Sequence, residues 1–148
     1  MRTEYDYHDQ ERYISQAKNI DANIQTVVDL LRLCNEEVTN IKSVVYDVPK
    51  VQKTICKNAL EEQVIRMLEH KEKLTKELEE LMRLKNELFS VVTSVPDNEA
   101  RICLRMVYLE NQSMKSFADR VGMSLATAYR KKEDAVRMIR IPHRAEDR

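Results

Sequence analysis

The sequence has one glycine, three prolines, two phenylalanines and no tryptophan in 148 residues. Sheet proteins need β-branched and aromatic residues in their strands and frequent turn residues between strands, so this composition argues against a sheet fold. A single glycine also excludes the glycine-rich loops that bind phosphate in dinucleotide-binding folds and in P-loop proteins. The composition is close to that of long helices, and we expect an all-α fold.

Cysteine and histidine are also scarce, with three of each. Cys34, Cys56 and Cys103 lie far apart with no histidine at ligand spacing near them, which argues against a metal site. Widely spaced, odd-numbered cysteines are typical of a reduced interior. No apolar run approaches the ~18 residues of a membrane span, and the polar start MRTEYDYHDQER is not a signal peptide. We expect a cytoplasmic protein without cofactor, metal or membrane contact.

Two long segments carry a coiled-coil period. Pro49 and Pro96 end or precede these segments, because proline lacks an N–H and has a fixed φ. Apolar side chains recur at alternating steps of four and three, which is typical of a coiled coil. In the first segment these are Tyr13, Ala17, Ile20, Ile24, Val27, Leu31, Cys34, Val38, Ile41 and Val45. In the second they are Leu60, Val64, Met67, Leu74, Leu78, Leu81, Leu88 and Val92, with Lys71 and Lys85 completing the period.

Two long helices with facing apolar stripes predict an antiparallel coiled-coil hairpin over residues 9–93. Val28, Leu30 and Leu33 widen the first stripe, so that more than one neighbour could pack there. A two-helix hairpin buries little area by itself. We therefore expect the coiled coil to bind a partner, most simply as a homodimer or higher oligomer.

Positive charge is concentrated near the end of the chain. The 25 basic and 25 acidic side chains balance overall, but residues 113–144 hold eight basic and three acidic side chains, a net charge of +5. A basic region in an otherwise neutral chain is the electrostatic pattern of nucleic-acid binding, although a solvated helix face has a similar composition.

The same region has the residues of a helix-turn-helix. We expect short helices over residues 97–110, 114–121 and 125–140. Asn111 and Gly122 can adopt the left-handed conformation that ends a helix, and Ser113 and Ser124 are good N-cap residues. The small residues Ala118, Gly122 and Ala128 have the spacing that lets two helices cross at a tight turn.

The stretch MVYLENQSMKSFADRVGMSLATAYRKKEDAV resembles the region-4 helix-turn-helix of bacterial sigma factors. It is more similar still to the small phage-encoded sigma-like transcriptional regulators of Gram-positive hosts, of the autolysin-regulator and late-gene activator type. The matching residues are Tyr108-Leu109-Glu110-Asn111, Ser113, Ala118, Val121-Gly122, Ser124, Ala128-Tyr129-Arg130 and Ala135-Val136. The resemblance implies a sequence-specific DNA-binding regulator, with a region-4-like domain over residues 97–141 behind the coiled coil. Leu125 and Ala126 depart from the polar residues common at those positions.

In a helix-turn-helix, the second helix enters the major groove by its N-terminal end, which here assigns DNA reading to residues 124–140. Arg130 is the best base reader, because a guanidinium can pair with both guanine acceptors. Ser124 offers a phosphate contact, Thr127 a phosphate or thymine-methyl contact, and Tyr129 either base contact or packing. The candidate DNA-binding residues are Ser113, Lys115, Ser124, Leu125, Ala126, Thr127, Tyr129, Arg130, Lys131 and Lys132.

The expected partners are double-stranded promoter DNA, a second copy of the chain and, as a further candidate, host RNA polymerase. Lys115, Lys131 and Lys132 would supply salt-dependent phosphate contacts. The alternative is a coiled-coil structural or adaptor protein that does not bind DNA. An enzyme is not expected and no catalytic residue is assigned, because no nucleophile–base pair or pair of carboxylates lies at a useful spacing.

Overall fold

The computed structural model describes residues 6–46 and 53–142, and the side chains of residues 6–41 and 58–142. All regular structure in these ranges is helical, which confirms the all-α fold. The elements are α1 (Tyr7–Tyr46), α2 (Lys53–Thr93), α3 (Asn98–Leu104), a π-helical turn (Arg105–Leu109), α4 (Met114–Val121) and α5 (Leu125–Arg137).

The chain forms two compact units. The helix-pair unit is Ala22–Met82, and the larger unit contains the described residues up to Asp21 and from Arg83 onward. The larger unit therefore includes the expected domain 97–141 together with the first turns of α1 and the last turns of α2.

The helix-pair unit packs through the apolar stripe that the heptad period predicts. Its core consists of Val27, Cys34 and Leu74, with Leu31, Leu78 and Leu81 packed around them. Val28, Leu30 and Leu33, which widen the stripe in the sequence, are 40 to 49% exposed. Val45, the last predicted stripe position of the first segment, lies outside the described side chains. The predicted stripe therefore packs in the core of this unit, whereas the three residues that widen it remain exposed to solvent within this chain.

The larger unit has a core to which every helix contributes. Fully buried side chains include Ile14 of α1, Leu88 of α2, Leu104 of α3, Phe117 of α4 and Val136 of α5. All of them belong to one cluster, so α3, α4 and α5 are held in a common packing arrangement. This packing positions the candidate interface.

Helix ends in the larger unit follow their capping residues as predicted. Asn111 (φ +54°) and Gly122 (φ +75°) are both left-handed, and Ser113 and Ser124 are the N-caps of α4 and α5. The bounds of α4 match the predicted helix 114–121, whereas α5 ends at Arg137, three residues before the predicted end.

The predicted helix 97–110 differs from a plain α-helix in its second half. After α3, the chain continues as a π-helical turn, in which the N–H of Glu110 donates to the carbonyl of Arg105 at 2.9 Å. A π-helical turn contains one residue more than an α-helical turn. Met106, Val107 and Tyr108 are three consecutive buried residues in it. No sequence pattern predicts this turn.

Gln10 links the start of α1 to the end of α5. Its amide donates hydrogen bonds to the carbonyl oxygens of Arg137, at 2.9 Å, and Ile139, at 2.8 Å, and the side chain is 5% exposed. Carbonyls at a helix C-terminus lack partners within the helix, so this contact satisfies groups that α5 leaves open. The first turns of α1 therefore stabilise the end of the helix that carries the candidate site.

Candidate nucleic-acid interface

The turn between α4 and α5 is formed by Gly122 and the two residues after it. The N–H groups of Gly122 and Met123 both donate to the carbonyl of Ala118, at 2.9 and 3.0 Å. A side chain at Gly122 would be strained because φ is positive, although space for a Cβ exists. Ala118 and Ala128 are buried where α4 packs against α5. The three small residues thus have the places that their spacing predicts.

One face of α5 is buried and the opposite face is open. Ala128, Ala135 and Val136 are fully buried, whereas the exposed residues in the first turns are Leu125, Ala126, Thr127, Tyr129 and Arg130. Leu125 and Tyr129, one helical turn apart, are 49% and 52% exposed. Tyr129 is therefore available for contact with a partner.

The two cap serines are engaged within their own helices. The Ser124 hydroxyl accepts from the Thr127 N–H at 3.2 Å and donates to the Thr127 hydroxyl at 2.8 Å. The Ser113 hydroxyl accepts from the Ser116 N–H at 3.1 Å and donates to the Ser116 hydroxyl at 3.0 Å. Anion binding at these helix starts would therefore depend chiefly on the remaining backbone N–H groups.

Lys131 lies on the side of α5 that faces the start of α3. Its ammonium pairs with the Asp97 carboxylate and lies 3.9 Å from that of Glu99, and the side chain is 23% exposed. The hydrogen bond from Lys131 lowers the pKa of Asp97, and the same bond raises the pKa of Lys131. Its charge is thus compensated within the protein, which the spacing of Lys131 in the sequence does not reveal.

Lys132 lies on the other side of α5 and has a different environment. Its ammonium is 5.8 Å from the centre of the Tyr108 ring and 6.0 Å from that of the Tyr129 ring. Among the described residues no carboxylate forms an ion pair with it. The side chain is half-buried, with its charge next to aromatic faces, where a cation is stabilised electrostatically.

Ser113 and Lys115 are exposed at the start of α4, apart from the other candidates, which belong to α5 or its cap. A residue that sequence reasoning missed lies close to the interface as well. Lys18 of α1 places its ammonium 4.9 Å from the centre of the same Tyr108 ring that Lys132 contacts. Its distance from α5 along the chain leaves no local signal by which it could have been found.

Among the described side chains, those of residues 6–41 and 58–142, no three histidine, cysteine or acidic groups are clustered as a metal site would require. Over residues 6–46 and 53–142, no helix combines the length and apolar character needed to cross a membrane. A family model described as "Protein of unknown function (DUF1492)" matches residues 40–140, which is more than half of the chain. No curated protein and no solved structure shows a significant match.

Proposed function

We propose that this chain, which belongs to the DUF1492 family of proteins of unknown function, is a sequence-specific DNA-binding transcriptional regulator of the phage or prophage sigma-like type. The observation that carries the proposal is the open face of α5, which follows the left-handed Gly122 turn and exposes Leu125 through Thr127, Tyr129 and Arg130. Because the opposite face is fixed in the core, this face can enter a major groove without rearrangement.

Arg130 is the residue we assign to base recognition. It is exposed, and no acidic side chain in the described parts of the chain pairs with it. Arg137, about two helical turns further along α5, instead pairs with Glu133 at 2.9 Å. An unpaired guanidinium can form two hydrogen bonds with the N7 and O6 acceptors of guanine, so Arg130 is the better reader.

The contacts to DNA phosphates fall to Lys115 and Lys132 rather than to Lys131. The charge of Lys131 is already neutralised by Asp97, and a phosphate would have to compete with that carboxylate. Lys132 keeps its charge beside Tyr129, and Tyr129 itself offers an exposed ring for contact with a sugar or base. These contacts position α5 on the duplex, and they carry no sequence information of their own.

The proposal is tested by measuring the affinity of the chain for two DNA duplexes by fluorescence anisotropy. One duplex comes from the region upstream of the protein's own gene, and the other has a scrambled sequence. Arg130→Ala is expected to lose ~1–3 kcal/mol of binding to the specific duplex, with little change on the scrambled one. Lys132→Ala should weaken both and reduce the salt dependence of the affinity by about one unit of slope. Arg66→Ala, an exposed arginine in the helix-pair unit, is the matched control.

Failure to bind either duplex at low salt would contradict DNA binding, and equal affinity for the two duplexes at physiological salt would contradict sequence-specific binding. Genome-wide mapping of bound DNA in the host would extend the test to other targets. The absence of a shared sequence motif among the bound sites would also contradict sequence-specific binding. A chain that binds no DNA would be better described as a coiled-coil structural or adaptor protein.

Association with a second copy, or with RNA polymerase, is the further part of the proposal. Support for a protein contact comes from the helix-pair unit, where Leu33, Ile65 and Leu68 are 49 to 55% exposed. Sedimentation equilibrium of the full chain distinguishes a monomer from an oligomer. Replacement of Leu33 and Leu68 by Gln should shift an oligomer toward the monomer, and an unchanged distribution would place the contact elsewhere.

A further inference from the structure

Two lysines from distant parts of the chain share one aromatic ring in the larger unit. The ammonium of Lys18, on α1, is 4.9 Å from the centre of the Tyr108 ring, and that of Lys132, on α5, is 5.8 Å from it. The ring is 1% exposed, so both positive charges are held against a buried group. This places a cation of α1 beside the helix that carries the candidate DNA-reading face.

The charge of this pair is not compensated. Lys85 and Lys131 each pair with a carboxylate, but neither Lys18 nor Lys132 does so among the residues that the structure describes. Glu11 is the carboxylate whose charge influences Tyr108, and it forms no ion pair with either lysine. An anion within reach of either ammonium would therefore supply a charge partner that the described residues do not provide.

The position of Lys18 is fixed by a second contact. The amide of Asn111 donates a hydrogen bond to the Lys18 carbonyl oxygen at 3.1 Å. Asn111 is the left-handed residue two positions before Ser113, the N-cap of α4. On the α5 side, Lys132 lies 6.0 Å from the exposed Tyr129 ring. The backbone of Lys18 is therefore tied to the segment that precedes α4, and its ammonium approaches the same ring as Lys132, which neighbours the exposed Tyr129.

We propose that Lys18 contacts a backbone phosphate of the duplex that α5 reads, so that α1 forms part of the nucleic-acid interface. This inference rests on the proposed function and deepens it. The cation–π contact restrains the Lys18 side chain before binding, which reduces the conformational entropy lost when a phosphate is bound. The contact is expected to add affinity equally for every DNA sequence, because phosphates carry no sequence information.

The test measures the affinity of the full chain for the specific and scrambled duplexes over a range of salt concentrations. Loss of one phosphate contact lowers the magnitude of the salt slope by ~0.9, so the variant gains about eightfold less affinity than the wild type for each tenfold dilution of salt, starting from equal affinity near ~1 M. Lys18→Gln is therefore expected to weaken binding to both duplexes by about eightfold at ~0.1 M salt. Lys18→Arg should keep the wild-type slope, since it keeps the charge. Lys73→Gln, an exposed lysine of the helix-pair unit, should change nothing.

The outcomes separate this inference from the proposed function. An unchanged affinity and salt slope in Lys18→Gln, while Arg130→Ala still loses its preference for the specific duplex, would overturn the role of Lys18 alone. A Lys18→Arg variant as weak as Lys18→Gln would also overturn it, because the loss would then come from packing and not from charge. A wild-type chain that binds neither duplex would overturn both proposals together.

Discussion

The two units use the same two long helices, yet they differ in how completely they bury apolar side chains. In the larger unit Ile14 of α1 and Leu88 of α2 are fully buried, because α3, α4 and α5 pack into the same core. In the helix-pair unit Leu33, Ile65 and Leu68 remain about half exposed. The heptad period determines which face of a helix packs against its partner, but burial of the flanks requires a further layer of structure.

This difference has an energetic consequence. Full burial of a large apolar side chain contributes ~1.5–3 kcal/mol, so a unit with many such side chains resists unfolding more than one with few. We expect the larger unit to be the more stable of the two, and its integrity to determine whether the candidate interface exists. The helix-pair unit is better suited to gain stability from a partner.

Truncation of one apolar side chain in each unit should give the largest difference in unfolding free energy between the units. Phe117→Ala in the larger unit removes a ring that is 0% exposed and is expected to lower the free energy of unfolding by ~3–5 kcal/mol. Leu33→Ala in the helix-pair unit removes a half-exposed side chain and should cost less than ~0.5 kcal/mol in the monomer. Urea denaturation followed by circular dichroism measures both, and similar losses would contradict the contrast.

The two described cysteines offer a chemical version of the same comparison. Burial raises the pKa of Cys103 to about 11, so the reactive thiolate is scarce while the larger unit is folded. Relative to a thiol of ordinary pKa near 9, this lowers the thiolate population by about a hundredfold. Because the helix-pair unit is also expected to open more readily, iodoacetamide at pH 8 should modify Cys34 before Cys103, in a Cys56→Ser background. Mass spectrometry of the digested protein would detect the reverse order.

Two glutamines provide a smaller contrast. Gln10→Ala leaves the carbonyls of Arg137 and Ile139 without their donor and is expected to cost ~1–3 kcal/mol, because those groups are near the buried end of α5. Gln25→Ala removes an exposed hydrogen bond to Asp29 in the helix-pair unit and should lower the free energy of unfolding by only about 0.2–0.5 kcal/mol. Thermal unfolding of the two variants tests this, and equal midpoints would contradict the role of Gln10.

The smallest effect is expected from the ion pair of Asp97 and Lys131. The hydrogen bond from Lys131 lowers the pKa of Asp97 below its usual 3.8, so the stabilisation is present at neutral pH and is lost as the pH falls through that range. Because the pKa of Lys131 is raised, its share persists below its usual 10.5 and is lost only above it. Asp97→Asn keeps an N-cap residue but should reduce the loss of unfolding free energy that the wild type shows as the pH falls through the range in which Asp97 is protonated.

A matched control for that ion pair lies in the helix-pair unit. Glu72 and Lys76 are about 70% exposed, and such a pair contributes almost nothing measurable. Glu72→Gln should therefore leave the pH dependence of the unfolding free energy unchanged. If both variants change that dependence equally at acidic pH, the effect comes from overall charge and not from the contact between Asp97 and Lys131.

Local features of this fold were predictable from the sequence because they depend on residues a few positions apart. Gly122, Asn111, Ser113 and Ser124 behave as predicted, since turn conformation and capping hydrogen bonds are set within about four residues. The apolar stripes follow for the same reason, because a helical period repeats over short distances. These features were enough to predict the bounds of α4 and the exposed start of α5, but not the π-helical turn or the end of α5.

The remaining features depend on contacts between residues far apart in the sequence. Gln10 reaches α5 across almost the whole chain, and Lys131 pairs with Asp97 at the start of a different helix. The environment of Lys18 beside Tyr108 has the same origin. Such contacts decide which basic residues keep a free charge, and a count of positive residues along the chain does not distinguish them.

The π-helical turn at Arg105–Leu109 holds one residue more than a regular α-helical turn. Each residue of an α-helix turns the chain by ~100°, so an extra residue in regular α geometry would rotate everything that follows by about that angle. The wider π turn takes up that rotation locally, and three consecutive side chains, Met106, Val107 and Tyr108, are buried in it. A one-residue deletion that restores α geometry here would therefore cost the core a side chain and leave the direction of α4 and α5 nearly unchanged.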